Sequence, residues 1–377
     1  MIRLTLPTLS ALLHAYMGWR LLPALPGSLA VSTAVLLVLS AWLVPQGLGR
    51  RGHGSAHRGL TIAGLVAMGW MSSLLVLTLL RDLLLGLAHA GHALGWWALN
   101  LPKLATDSAG TVLTGALALT LWGAWQARRR PPVVAVDVPI VGLPAGLQGF
   151  TIAQISDIHV GPTIRRPQLQ AMVDAVNALQ ADAVAITGDL VDGSVAQLAE
   201  HVAPLAELKA RHGAFFVTGN HEYYSGGSDW VAEVERLGVR VLMNEHVTLL
   251  HQGTPLVLAG VADYSAHQFE PSHRSDPQAA LAGAPADAGA KVLLAHQPRS
   301  AAAAAAAGFD LQLSGHTHGG QFWPWGWFVP LQQPFVAGLH RVQQMWIYVS
   351  RGTGYWGPPK RVGAPSEITL LRLVAAA

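Results

Sequence analysis

The pattern of apolar and polar positions changes character near residue 130. Before it, Ser28–Pro45, Leu60–Leu80 and Ser108–Gln126 are almost wholly apolar. A helix needs about 20 such residues to cross the hydrocarbon of a bilayer, so each is a predicted span. Leu4–Leu22 is a weaker fourth, because Pro7, His14 and Arg20 interrupt it. Asp82–Leu101 contains Asp82, His89 and His92 but neither Lys nor Arg. It either spans or lies flat with Trp96 and Trp97 at headgroup level.

After Pro131-Pro132 the apolar runs become short. Phe150–Ile155, Ala183–Thr187, Ala214–Thr218, Leu256–Val261, Lys291–Ala295, Leu311–Ser314 and Trp346–Ser350 are predicted strands, several rich in Val, Ile and Phe. Gln168–Leu179, Val195–Arg211, Trp230–Leu237 and Ser300–Ala307 are predicted helices between them. The seven alanines at 301–307 suit a tightly packed helix, since Ala is the best helix former. Alternating buried strands and helices indicate a layered α/β domain. The organisation expected is a multi-pass helical region at 1–127 with four or five helices, a linker and first strand at 128–149, and a soluble domain at 150–377.

Charge sharpens this division. Residues 1–130 carry ten Lys/Arg against two Asp/Glu, a net of +8, whereas 131–377 carry fourteen against nineteen, a net of −5. The basic balance belongs to the membrane region, and an acidic soluble part argues against nucleic acid as a partner. Arg50, Arg51 and Arg58 lie between the second and third predicted spans, and Arg128–Arg130 follow the last. By the positive-inside rule both places are cytoplasmic if Asp82–Leu101 does not span. That arrangement has four spans and a cytoplasmic soluble domain; a fifth span would put the domain outside. Seven of the thirteen tryptophans precede residue 128, several near predicted helix ends, as interface anchors do. The absence of cysteine excludes disulfides and thiolate metal sites.

Five short blocks carry the chemistry: Ser156-Asp157-Ile158-His159, Gly188-Asp189, Gly219-Asn220-His221-Glu222, Ala295-His296 and Gly315-His316-Thr317-His318-Gly319-Gly320-Gln321. Most follow a predicted strand, where ligands of α/β sheets collect. Singly, His159 or His221 reads as a loop histidine and Asp189 as a helix cap. Together the blocks offer seven mixed oxygen and imidazole ligands, Asp157, His159, Asp189, Asn220, His296, His316 and His318. That exceeds the need of one ion, and a carboxylate such as Asp189 can bridge two. Without thiolates, Mn, Fe or Zn suits the set better than a closed structural zinc site. Two divalent cations would acidify water and stabilise charge on a phosphoryl group. Asp192 is read as a supporting or surface group. Glu222 either orients His221 or is a solvated carboxylate.

This motif set resembles the calcineurin-like metallophosphoesterases over about residues 150–371. Gly315–Gln321, Gly352-Thr353-Gly354 and Pro365-Ser366-Glu367 look most like their membrane-associated bacterial phosphodiesterase-like branch. The resemblance implies a four-layer αββα sandwich. It implies that Asp157, His159, Asp189 and His318 hold one metal, and that Asp189, Asn220, His296 and His316 hold the other. His221 would then face the phosphate as the catalytic acid or transition-state stabiliser, beside Asn220.

Gln321-Phe322-Trp323-Pro324-Trp325-Gly326-Trp327-Phe328 follows the last ligands. It is either a buried sheet-edge loop or one that meets the bilayer interface or an acyl chain, with Tyr223, Tyr224 and Trp356 as further candidates for the same wall. The expectation is an integral membrane phosphoesterase, in a bacterial inner membrane, whose partners are the bilayer and a phosphoester, a lipid-linked one included. The rival from another class is a membrane receptor or transport component that binds phosphate without turnover; a nuclease shares the chemistry but lacks a basic groove.

Overall fold

A computed structural model describes residues 5–49 and 57–376. Leu4 of the first predicted span, and Arg50 and Arg51 of the basic loop, lie outside the described residues. The chain forms two compact units, Met1–Arg128 with Gly357–Val362, and Arg129–Trp356 with Gly363–Ala377.

The described part of the first unit before residue 129 is built on four long helices, α1 (Leu6–Leu21), α2 (Gly27–Gly49), α3 (Arg58–Ala93) and α4 (Leu101–Arg128). The last three are long and apolar enough to cross a membrane. Pro7 does not interrupt α1. It sits in the first turn, where a missing N–H costs nothing, and the Thr5 hydroxyl caps that turn by accepting from Thr8 N at 3.4 Å. Asp82–Ala93 is no separate helix. Leu and Ala carry α3 through it unbroken for 36 residues, about 54 Å at 1.5 Å per residue, and the chain turns only after Ala93.

Burial in this unit is inverted relative to a water-soluble bundle. Val31, Val35, Val38, Trp42, Leu83, Leu84, Leu117, Leu121 and Trp122 are exposed, while Ser10, His14, Ser40, Thr78 and Arg81 are buried. Polar groups in such a bundle must find partners inside it. His14 bonds Ser10 O at 2.7 Å and Ser40 Oγ at 2.8 Å. Asp82 accepts from Tyr16 Oη at 2.6 Å and Arg20 Nε at 2.8 Å, and Arg81 donates to Ala105 O at 2.9 Å. Lys360 donates to Gly69 O at 2.9 Å and to Ser73 Oγ.

The second unit holds two six-stranded mixed sheets. The strands are β1 (Val133–Ile140), β2 (Thr151–Ile155), β3 (Ala183–Ile186), β4 (Ala214–Phe216), β5 (Arg240–Val241), β6 (Glu245–His251), β7 (Thr254–Gly260), β8 (Ala290–Leu294), β9 (Leu311–Ser314), β10 (Gly338–Val342), β11 (Met345–Val349) and β12 (Ile368–Ala375). One sheet runs β1-β12-β2-β3-β4-β5 and the other β10-β11-β9-β8-β7-β6. The period-2 alternation of side chains explains the layering. On β8, Val292 and Leu294 join Ile152, Ala183 and Ala185 in a core between the sheets, while Leu293 joins Ala301 and Ala304 in an outer core. The alanine helix, α10 (Ala301–Ala307), therefore covers the outer face of the second sheet together with α9 (Pro277–Ala280). Over the first sheet, α5 (Arg166–Ala178) buries Leu169, Met172, Val173 and Val176, and α6 (Val195–Val202) and α8 (Gly227–Arg236) extend the helical layer. This is the four-layer αββα sandwich.

Gln154 ties the two sheets where their strands end. Fully buried on β2, it donates through Nε2 to Thr187 Oγ1 at 2.8 Å and to Ser314 O on β9 at 2.9 Å.

Candidate metal centre

The centre lies at the carboxyl ends of β2, β3, β4, β8 and β9. Strands β2, β3 and β4 run parallel to one another, as do β7, β8 and β9. Loops leaving their ends therefore emerge on one side of each sheet. Asp157 and His159 follow β2, Asp189 follows β3, Asn220 begins the short helix α7 (Asn220–Tyr224) after β4, His296 follows β8, and His316 and His318 follow β9.

Three overlapping groups of ligand atoms result: Asp157 with His159 and His318; Asp189 with His296 and His316; and His159 with Asp189 and His221. His159 Nε2 and His318 Nε2 lie 3.1 Å apart, with Asp157 Oδ1 3.4 Å from the latter. On the other side His316 Nδ1 lies 3.2 Å from His296 Nε2. Asp189 Oδ2 stands between, 3.2 Å from His296 Nε2 and 3.8 Å from His159 Nε2. His296 is oriented by its Nδ1, which donates to Thr187 O at 2.8 Å, so that Nε2 faces inward. Asn220 Oδ1 is buried and accepts no hydrogen bond. Such an orphaned amide oxygen, on the residue between Gly219 and His221, both of which contact Asp189, is a donor of the kind divalent cations take.

Backbone geometry is special at these positions. Asp157, His159, Asp189, His316 and His318 all have φ between +51° and +71°. Such conformations are costly for residues with a Cβ and cluster at functional sites. The flanking glycines are required by contact. A Cβ on Gly219 would lie 2.2 Å from Asp189 Oδ1, and one on Gly315 2.1 Å from Asp157 Oδ2.

Charge follows from burial and proximity. Burial lowers the pKa of His221, but Asp189 and the hydrogen bond that the ring donates to Asp192 outweigh it and push it up to about 9. Burial likewise opposes protonation of His296, and Asp189 and Asp157 hold it well above the usual imidazole range. Asp189 is held well below the usual carboxylate range, against its burial, chiefly by His296 and His221. Burial and the His296 charge push His316 down to about 3.

Of two acidic residues, Asp192 takes the supporting one of its two expected roles, and Glu222 takes neither of its own. Asp192 is no surface group. Its side chain is only 10% exposed, and its Oδ1 accepts from His221 Nδ1 at 2.6 Å and from His159 Nδ1 at 3.1 Å. Glu222 is neither solvated nor bonded to the His221 ring. Fully buried, it accepts from the backbone N–H of Gly219 at 2.6 Å, Leu190 at 2.8 Å, Asp189 at 3.0 Å and Val191 at 3.3 Å. It thereby locks the Asp189 loop to the Asn220 loop, and burial and Asp189 push its pKa up to about 7.

The aromatic surroundings also divide. Tyr224 and Trp356 pack edge-on to His221 at ring distances of 5.2 and 5.7 Å. Gln321 holds Trp356 through a reciprocal pair of 2.8 Å hydrogen bonds to its backbone. Tyr223 turns away and bonds His273 Nδ1 at 2.9 Å. Trp323, Trp325 and Trp327 are 39%, 41% and 72% exposed, so their loop is not a buried sheet edge.

Residues 150–320 match the family model described as calcineurin-like phosphoesterase. A bovine (Bos taurus) transmembrane protein with metallophosphoesterase domain is 38% identical over 83% of this chain and 74% of its own length. The chain belongs to the calcineurin-like metallophosphoesterases. A zebrafish (Danio rerio) transmembrane protein with metallophosphoesterase domain is 39% identical over 70% of this chain, and an uncharacterized metallophosphoesterase of Campylobacter jejuni is 35% identical over 66%. The match spans 62% and 64% of the length of those two relatives. Three candidate spans among the described residues, and the transmembrane relatives from cattle and zebrafish, support a membrane-associated member of this family.

Proposed function

We propose that this metallophosphoesterase hydrolyses phosphodiesters or pyrophosphates at the membrane surface, with lipid-linked substrates as its natural class. One observation carries the chemistry: Asp189 Oδ2 is shared between two histidine groups, 3.2 Å from His296 and 3.8 Å from His159. In this reading Asp157, His159, Asp189 and His318 hold one cation, and Asp189, Asn220, His296 and His316 the second. Two divalent ions, of Mn, Fe or Zn type, would supply Lewis-acid charge at these residues when bound.

The chain's own groups do the rest. As the new P–O bond forms, the bond to the leaving alcohol or phosphate breaks, and His221 Nε2 delivers its proton to that departing oxygen. Asp192 on Nδ1 fixes the ring and keeps it protonated. No covalent phosphoenzyme is needed. Exposed Trp323, Trp325 and Trp327, with Tyr224 and Trp356 beside His221, support an acyl chain or interface next to the centre. The union of Asp82–Ala93 with α3 supports a four-helix count, and with Arg58 and Arg128–Arg130 it favours a cytoplasmic catalytic domain at a bacterial inner membrane.

The test is metal analysis of the purified full chain joined to a hydrolysis screen over phospholipids and lipid pyrophosphates. Chelator should abolish turnover and Mn²⁺ restore it. Full activity in metal-stripped protein would overturn the mechanism, and turnover confined to soluble esters would overturn the substrate class.

A further inference from the structure

Outside the metal centre, a cleft of about 290 Å³ opens in the catalytic unit, lined by Tyr264, His267, Arg274, Ser275 and Ser300. Its two walls follow the neighbouring strands β7 and β8, of which β8 leads into the centre through His296. The loop carrying Tyr264 to Ser275 follows β7. The turn Pro298–Ser300 follows His296 at the end of β8. The walls are joined behind the cleft, because the Asp263 carboxylate accepts from Gln297 Nε2 at 3.0 Å and from Ser265.

The polar groups of this cleft are uncommitted. Ser275 Oγ is buried and has no hydrogen-bond partner. Among the described residues no hydrogen bond or ion pair engages the Arg274 guanidinium, the His267 ring or the Tyr264 hydroxyl. A second guanidinium, that of Arg299, stands 6.0 Å from the Tyr264 ring centroid. The nearby acids are occupied: Asp263 as above, Asp276 by Gln278 N and Ala279 N, and Glu270 by Ser228. A buried hydroxyl left without a partner costs free energy unless something binds it. Here it sits with an unpaired guanidinium, an imidazole and a phenol, all able to donate to oxyanion acceptors and none of them anionic.

We infer that this cleft is an anion subsite for phosphate-type oxygens, and that it holds the second anionic group of a substrate whose first phosphoryl group lies in the metal centre. The inference rests on the hydrolase reading above for its substrate half, and stands alone for its anion-binding half. It gives the enzyme a preference for substrates with two anionic centres, such as pyrophosphate diesters, over simple phosphodiesters.

Two measurements on the detergent-solubilised full chain test it. In the first, metal-stripped protein is titrated calorimetrically with inorganic phosphate. The wild type should bind, Arg274→Ala should bind about tenfold more weakly, and Ser275→Ala should show a smaller loss in the same direction. No binding by wild type, or equal affinity in Arg274→Ala, would overturn the subsite. In the second, metal-loaded protein is given a dialkyl pyrophosphate and bis(p-nitrophenyl) phosphate. Arg274→Ala should raise KM about tenfold for the first and leave both constants unchanged for the second. Equal effects on both substrates would remove the substrate role. Arg274-dependent phosphate binding in a wild type that turns over neither substrate would uphold the anion site and remove the hydrolase reading instead.

Discussion

Asp192 Oδ1 accepts from His221 Nδ1 at 2.6 Å, and the same oxygen lies 3.1 Å from His159 Nδ1. One carboxylate thus orients both a candidate metal ligand and the candidate acid. In metal-free protein, His221 should titrate near 9, and Asp192→Asn should move it toward 6.5, read by NMR pH titration. The sign follows from the raised pKa: His221 stabilises the metal-free fold fully below about 6.5, and that contribution is lost as pH rises through about 9. Loaded Asp192→Asn should lose roughly 10- to 100-fold in kcat. An unmoved titration would refute the coupling.

Removing a shared or terminal ligand candidate should be more severe. Asp189→Asn and His318→Ala are expected to lose at least about 1,000-fold in turnover. Elemental analysis should show lower metal content, with unchanged circular dichroism. Retained stoichiometry of two ions per chain in both variants would contradict the ligand assignment.

Glu222 offers a test of the scaffold. Its two oxygens accept four backbone N–H groups. Glu222→Gln would turn an amide NH₂ toward those donors and leave some unpaired in the interior. A loss on the order of 2–4 kcal/mol in denaturant unfolding is expected, with weakened metal binding. A change under about 0.5 kcal/mol would mean that the loops are held by other contacts.

Gly219→Ala should disturb the centre without unfolding the sheets. The added Cβ would meet the Asp189 carboxylate at 2.2 Å and its backbone N at 2.5 Å. Metal titration should report weaker or substoichiometric binding while far-ultraviolet dichroism stays native. Wild-type affinity would show that the Asp189 loop yields freely.

Replacing Trp323, Trp325 and Trp327 together with Ser should depress hydrolysis of a vesicle-borne lipid ester and spare a soluble aryl phosphodiester. Equal loss on both, or none on either, would remove the loop from lipid recognition.

The centre was legible because its residues are polar blocks at the ends of apolar runs, a pattern that survives without coordinates. The strand at Lys291–Ala295 appears as β8 over Ala290–Leu294, and that at Leu311–Ser314 as β9. What stayed hidden depends on direction in space. Tyr223 and Tyr224 are adjacent in sequence, but α7 is helical and rotates them about 100° apart, so only Tyr224 reaches His221. Gln154 lies inside a strand pattern that gives no hint of a second sheet within hydrogen-bonding reach. Glu222 resembles any charged loop residue until its backbone donors are seen. Asp82 appeared to open a new segment because a charge follows an apolar run, yet Arg20 and Tyr16 supply its partners inside the bundle.

The left-handed backbone at Asp157, His159, Asp189, His316 and His318 also constrains descent. Asn, Asp, His and Gly visit that region at least expense, whereas Val, Ile or Thr there would strain the main chain itself. A copy of this gene that no longer needed these side chains could therefore drift at these positions toward Asn or Gly while keeping its shape. Substitution by a β-branched residue would mark a lineage in which the loops themselves had been rebuilt.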